Sequence, residues 1–158
     1  MDSVSTIESL RRHPFLEGLE ESDLARLEGL ASEVRFARDQ FIFREGDHSH
    51  SFYLLAEGKV ALEVAAPGRT IRIATLGPGD ELGWSSILSP SRKHFQARSL
   101  EAVRAFAFDG RALGEACLQD EGFGCQIFRR VLGVVAERLQ ATRLQLLDMY
   151  SPAAAPKA

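Results

Sequence analysis

Phe52-Tyr53-Leu54-Leu55-Ala56-Glu57-Gly58-Lys59-Val60-Ala61-Leu62-Glu63-Val64 is the stretch on which the fold turns. Two short apolar runs flank a Glu57-Gly58 break, the pattern of two strands joined by a tight turn. Phe41-Ile42-Phe43 lies before this pair and Ile71-Arg72-Ile73 after it. Gly46-Asp47, Pro67-Gly68 and Pro78-Gly79-Asp80 punctuate the series. Short strands with turn residues between them predict a sandwich or barrel over residues 34–108, not a parallel sheet.

On either side the period changes from two to three and four. Residues 5–33 are predicted to be helical, with Leu24, Leu27, Leu30 and Ala31 on one face and Pro14 dividing off a shorter helix around Ile7 and Leu10. Asp109 is a good N-cap for a short helix to about Leu118, and Asp120 for a long one to about Tyr150, so residues 109–150 form the C-terminal helices. Along the long helix Phe128, Leu132, Val135, Leu139, Thr142, Leu146 and Met149 alternate by four and three. A second row, Ile127, Val131, Val134, Leu144 and Leu147, widens the stripe. The two rows predict one face on the β-domain and another on a partner helix. A homodimer through Phe128, Leu132, Val135, Leu139 and Leu146 is therefore expected. Arg129, Arg130, Arg138 and Arg143 are expected on a solvated face with Glu137 and Asp148, and residues 151–158 as a disordered tail.

The totals narrow the function classes. With 158 residues, 45% of them hydrophobic, the chain fills one core and predicts a single domain over residues 1–150. Nineteen basic against 22 acidic residues leave a net charge of −3, which argues against a nucleic-acid partner. No leader-like segment and no apolar run of membrane-spanning length is present, so a cytoplasmic protein without membrane contact is expected. Cys117 and Cys125 fit structural, reduced thiols. No nucleophile elbow, phosphate loop or catalytic carboxylate pair occurs, and His48-Ser49-His50 lacks a third ligand at usable spacing. The expectation is a protein that is not an enzyme and has no metal site.

Three segments carry a family resemblance: Phe43-Arg44-Glu45-Gly46-Asp47, the Phe52–Val60 stretch, and Leu76-Gly77-Pro78-Gly79-Asp80. They resemble the turn glycines of the cyclic-nucleotide-binding domain family, of catabolite-activator and protein kinase A regulatory-subunit type. Arg138-Leu139-Gln140-Ala141-Thr142 is similar to the helix that closes over the nucleotide in that family. The resemblance implies an α+β fold: an antiparallel, jelly-roll-like β-roll with N-terminal helices and a long C-terminal helix. It also implies a regulatory ligand such as cyclic AMP or cyclic GMP, and no other cofactor. The family's transcription factors carry a helix-turn-helix domain after the long helix. This sequence stops eight residues beyond Tyr150, so DNA binding is not expected.

In the family, a Phe-Gly-Glu-Leu turn cradles the cyclic phosphate, its glutamate accepts from the ribose, and a later arginine pairs with the phosphate. Here the segment reads Leu82-Gly83-Trp84-Ser85-Ser86, continuing to Arg92-Lys93-His94. Gly83 matches, but Trp84 stands at the glutamate position. Counting without gaps places Lys93 at the arginine position, and a one-residue shift would place Arg92 there instead. Trp84 either walls an altered pocket and stacks on a flat ligand, or fills the old ribose space. Ser85 and Ser86 either donate to a phosphate or cap the turn, and Thr142 resembles the family residue that reaches the base. Two functions follow. One is a stand-alone sensor that binds a small anionic ligand and signals through its C-terminal helix to a separate protein. The other is a ligand-free interaction or scaffold dimer.

Overall fold

The computed structural model describes residues 2–88 and 92–150. Helix α1 (Asp2–Arg11), a 3-10 turn (Pro14–Leu16) and α2 (Glu21–Leu30) lead into eight strands. These are β1 (Ala31–Phe36), β2 (Phe41–Phe43), β3 (Ser51–Glu57), β4 (Val60–Ala66), β5 (Arg69–Leu76), β6 (Glu81–Leu82), β7 (Gln96–Ser99) and β8 (Val103–Asp109). A single helical turn, α3 (Ser85–Leu88), interrupts them, and α4 (Gly110–Gln119) and α5 (Glu121–Tyr150) follow. The strands form two antiparallel sheets, ordered β1-β8-β3-β6 and β2-β7-β4-β5. Strands distant in sequence are neighbours, as in a jelly roll: β3 pairs with β8 and β4 with β7.

The expected helix to residue 33 is corrected. α2 ends at Leu30, and Ala31 turns extended (φ −86°, ψ 144°) while its N–H closes the helix on the Glu28 carbonyl. Ala31 then pairs with Phe108, so the ladder to β8 takes the backbone bonds that a longer helix would have used. Both N-caps expected for the C-terminal helices are present. The Asp109 carboxylate accepts from the Ala112 N–H at 2.9 Å, and that of Asp120 from the Phe123 N–H at 3.1 Å. The tail expected at 151–158 lies outside the described residues.

Period two sorts the strand side chains between two cores. On β3 and β8, Phe52, Leu54, Phe106 and Phe108 face the helices. Leu55, Val103 and Ala105 face the roll interior with Val60, Leu62 and Leu82. α5 joins the helical core through Phe123, Ile127 and Val131. Each fully buried Phe or Leu contributes about 1.5–3 kcal/mol, so this row is what fixes α5 on the roll. Gly58 is held at φ +87°, and a Cβ there would collide with the Ala102 carbonyl oxygen. Only glycine fits the turn of the fold-deciding hairpin.

Candidate functional site

β6 ends at the buried Leu82 and delivers Gly83, at φ +83°, against the Ser51 carbonyl oxygen, which leaves no room for a Cβ. Gly83 then opens α3. Its carbonyl accepts from the Ser86 N–H at 3.1 Å and from Ser86 Oγ at 2.7 Å. Ser86 therefore caps the turn from a buried position. The Ser85 hydroxyl lies 3.0 Å from that of Ser49, tying the loop between β2 and β3 to the start of α3.

Residues 92–94 alternate in exposure. Arg92 is exposed and its guanidinium donates to the Gly46 carbonyl at 2.9 Å. Lys93 turns inward and is only 7% exposed, while His94 is exposed again. Backbone bonds lock this phase: Lys93 N–H donates to the Asp47 carbonyl, and Gly46 N–H to that of Lys93, both at 2.8 Å. The Lys93 ammonium lies 4.3 Å from the centroid of the Phe43 ring, and its Nζ would be 3.4 Å from a Cβ on Gly83. It has no carboxylate partner among the described residues. Burial pushes its pKa down to about 8. A cavity of about 290 Å³ opens beside it, with His48, His50, Ser51 and Tyr53 in its wall. Of the two candidate cations, Lys93 is the one turned toward Gly83.

The other expected ligand residues are dispersed. Trp84 is half-buried and packs against the helical core. Thr142 is exposed, and its hydroxyl donates to the Arg138 carbonyl of its own helix at 2.8 Å. The solvated arginine face is corrected in part: Arg129 and Arg143 are exposed, with Glu137 and Asp148, but Arg130 and Arg138 turn toward the body of the domain. Arg130 bonds the Glu17 carbonyl and the Gln126 side chain, and Arg138 bonds both the Glu81 carbonyl and its carboxylate, the latter at 3.2 Å. Burial pushes the Glu81 carboxyl up while Arg138 opposes the shift. Gln145 reaches the Ile73 carbonyl two helical turns further on, at 3.3 Å. α5 is thus held to the strand that delivers the Gly83 turn, a contact the sequence reading missed. The signal was present, since Val131, Val134, Arg138 and Gln145 continue one helix face.

The expected dimer row divides. Phe128 and Val135 are half-buried against their own helical core. Leu132, Leu139 and Leu146 are 68%, 48% and 47% exposed, and Leu144, Leu147 and Met149 are exposed beside them. Cys117 is buried and free, its thiol pushed up to about 11 by burial, and Cys125 is exposed and free. Among the described residues no helix is long and apolar enough to cross a membrane.

A family model described as the cyclic nucleotide-binding domain matches residues 33–120. A CRP-like cAMP-activated global transcriptional regulator of Mycobacterium tuberculosis is 32% identical over 143 residues, which is 90% of this chain. The chain spans 62% of that regulator's length. A putative cyclic nucleotide-binding protein from Geobacter metallireducens superposes with a TM-score of 0.75 at 26% identity, over 85% of this chain and 98% of that one. A cyclic nucleotide-binding domain from Methylobacillus flagellatus reaches 0.82 over 96% of this chain and 88% of its own, and at 17% identity it speaks for the fold alone.

Proposed function

Since the chain belongs to the cyclic nucleotide-binding domain family, we propose that it is a regulatory binding module for a small phosphate-bearing anion, not a catalyst. A cyclic nucleotide such as cyclic AMP or cyclic GMP is the simplest case. The observation that carries this reading is Lys93, an ammonium buried beside the Gly83 turn with no acidic partner among the described residues. A buried charge is costly unless a counter-charge meets it, and a bound anion would supply one. The ligand would sit at the end of β6, and Glu81 on that strand is bonded to Arg138 of α5. A shift of the Gly83 turn would therefore load or release the Arg138 contact and reposition α5. The exposed Leu132, Leu139 and Leu146 then offer the surface for a second copy, and the repositioned helix the surface for a downstream protein.

Trp84 favours a second reading, a ligand-free interaction dimer. By the family resemblance it stands at the position of the sugar-binding glutamate, and it packs half-buried against the helical core. Thermal unfolding with cyclic AMP, cyclic GMP and cyclic dinucleotides separates the two. A ligand at 100 times its Kd adds about 2.7 kcal/mol, a shift of several degrees. No shift with any phosphate-bearing ligand at millimolar concentration would leave only the scaffold reading.

A further inference from the structure

His13 joins the N-terminal helices to the β-roll and uses both ring nitrogens to do so. It stands between α1 and the 3-10 turn and is only 5% exposed. Its Nδ1 accepts from the Phe15 N–H at 3.2 Å, which caps the turn, and its Nε2 lies 3.0 Å from the Leu55 carbonyl oxygen on β3. An N–H can only donate and a carbonyl oxygen can only accept. The two partners therefore admit one form of the ring, the neutral tautomer with its proton on Nε2. The same Leu55 carbonyl accepts from the Gly79 N–H at 2.9 Å, and a Cβ on Gly79 would be 3.3 Å from Pro14 Cγ. His13 and Pro14 are thus seated on the turn between β5 and β6. Beyond them Phe15 and Leu16 are buried, the Phe15 ring 5.2 Å from that of Phe52.

The charges around the ring are already engaged. Asp80 faces it from the β5–β6 turn, and its carboxylate accepts from the Gly77 N–H at 2.8 Å. A cavity of about 340 Å³ beside the ring is lined by Glu8, Arg12 and, from β8, Arg104. Arg12 pairs with Glu8 at 3.8 Å, and Arg104 bonds the Ser9 hydroxyl at 3.1 Å and the Glu57 carboxylate at 3.3 Å. Asp80 favours a charged imidazole, but burial outweighs it and pushes the ring's pKa below the usual 6.5. Below pH 6.5 the unfolded chain takes up a proton that the folded ring resists, so the stability His13 contributes is lost as pH falls.

The second proton has only Nδ1 to enter, where it meets the Phe15 N–H head on. The charged ring keeps its bond to Leu55 and loses the one to Phe15, so the break falls at the cap of the 3-10 turn and not on the β-roll. Burial of Phe15 and Leu16 outweighs a single cap, which confines the opening to the residues before them. α1 is the element that can move. Among its described residues only Leu10 is fully buried, and its other ties are polar: Thr6 to Glu33 at 2.9 Å, Ser9 to Arg104, and Arg11 to Glu21 and Glu28. We propose that His13 is a pH-sensitive latch, which on protonation at Nδ1 releases the Phe15 cap and lets α1 swing about residues 12–14 while the β-roll stays folded.

Nuclear magnetic resonance of the 15N-labelled full chain tests it, following the His13 ring nitrogens and amide-exchange protection, corrected for intrinsic exchange, from about pH 7.5 down to about pH 4. His13→Asn serves as the control, because asparagine is a good N-cap acceptor and does not titrate in this range. A comparison of parent and variant cancels the carboxylates and His48, His50 and His94, which titrate in both. The expected result is a ring protonated on Nε2 alone at neutral pH that gains its second proton below pH 6.5. In step with that proton, protection of the Phe15 amide and of α1 falls about tenfold or more, while Leu54 and Phe106 on the β-roll stay within about twofold. In His13→Asn the protection of α1 does not follow pH in this way. Three results overturn the latch: a ring that titrates while Phe15 and α1 keep their protection, loss of protection in the β-roll over the same interval, or no titration of His13 above pH 4. Should His13→Asn fail to fold, the parent's own titration still decides among these, and a folded variant with the parent's pH profile overturns the proposal as well.

Discussion

Lys93→Met removes the buried ammonium while keeping an unbranched side chain of similar length. In the folded protein the group's pKa falls from an ordinary 10.5 to about 8. At about 1.4 kcal/mol per pKa unit, this puts the cost of holding the charge on the order of 3 kcal/mol. Below pH 8 both the folded and unfolded chains are protonated at Lys93, and the full cost is present. Between pH 8 and 10.5 the unfolded chain keeps a proton that the folded one has lost, so stability rises with pH through that window. Cys117 runs the other way: its thiol is raised from 9.0 to about 11, so its contribution is lost as pH rises through that interval. The difference between parent and variant cancels the thiol and isolates the lysine. Urea unfolding at pH 7, 8, 9 and 10 is therefore expected to show the ligand-free variant more stable than the parent at pH 7, by on the order of 3 kcal/mol. The gap should narrow steadily toward pH 10.5. A pH-independent gap, or a variant less stable than the parent at pH 7, would refute the account of Lys93 as an uncompensated buried charge.

Sedimentation at roughly 50 µM should find the parent dimeric and Leu139→Asp, Leu146→Asp monomeric, since a charge on that exposed row opposes association of two copies. A monomeric parent would remove the dimer from the account. Arg138→Ala strands the half-buried Glu81 carboxylate and should cost about 1–3 kcal/mol, with amide exchange rising in the last turns of α5. Adding Glu81→Gln should recover part of the loss, and unchanged exchange would show that the pair does not hold the helix. Trp84→Glu places a charge against the helical core and should destabilise by about 1–3 kcal/mol without restoring cyclic AMP affinity. A stable variant that binds cyclic AMP tightly would mean that Trp84 only plugs a family-type pocket.

The β-roll was legible because its punctuation is local. Gly58 and Gly83 sit at positive φ under backbone that would strike a Cβ, and the alternation of Phe52, Leu54 and Leu55 divides two cores in the structure as it does on paper. The end of α2 was not legible. Ala31 continues the apolar spacing of Leu24 and Leu27, and what makes it a strand is a ladder to Phe108 on β8. Within the candidate site, the sequence offered Arg92 and Lys93 as equals. Their inward or outward phase depends on bonds to Asp47 and Gly46, a loop that precedes them by more than forty residues. The inward turn of Arg138 was not legible for the same reason, since its partner Glu81 lies 57 residues away on another element. Tertiary contact, not local pattern, decides which charged side chains turn inward.

Lys93 is expected to meet the ligand's phosphate, and proton linkage measures this directly. At pH 8.5 a lysine with a pKa of about 8 is only about one-quarter protonated, and pairing with an anion returns it to the fully charged form. Calorimetry of the tightest phosphate-bearing ligand, in two buffers of different ionisation enthalpy, should show an uptake of roughly 0.7 proton per ligand at that pH. The uptake should be absent at pH 6.5, where Lys93 is already charged. Binding without proton uptake at pH 8.5, or with the same uptake in Lys93→Met, would contradict the account.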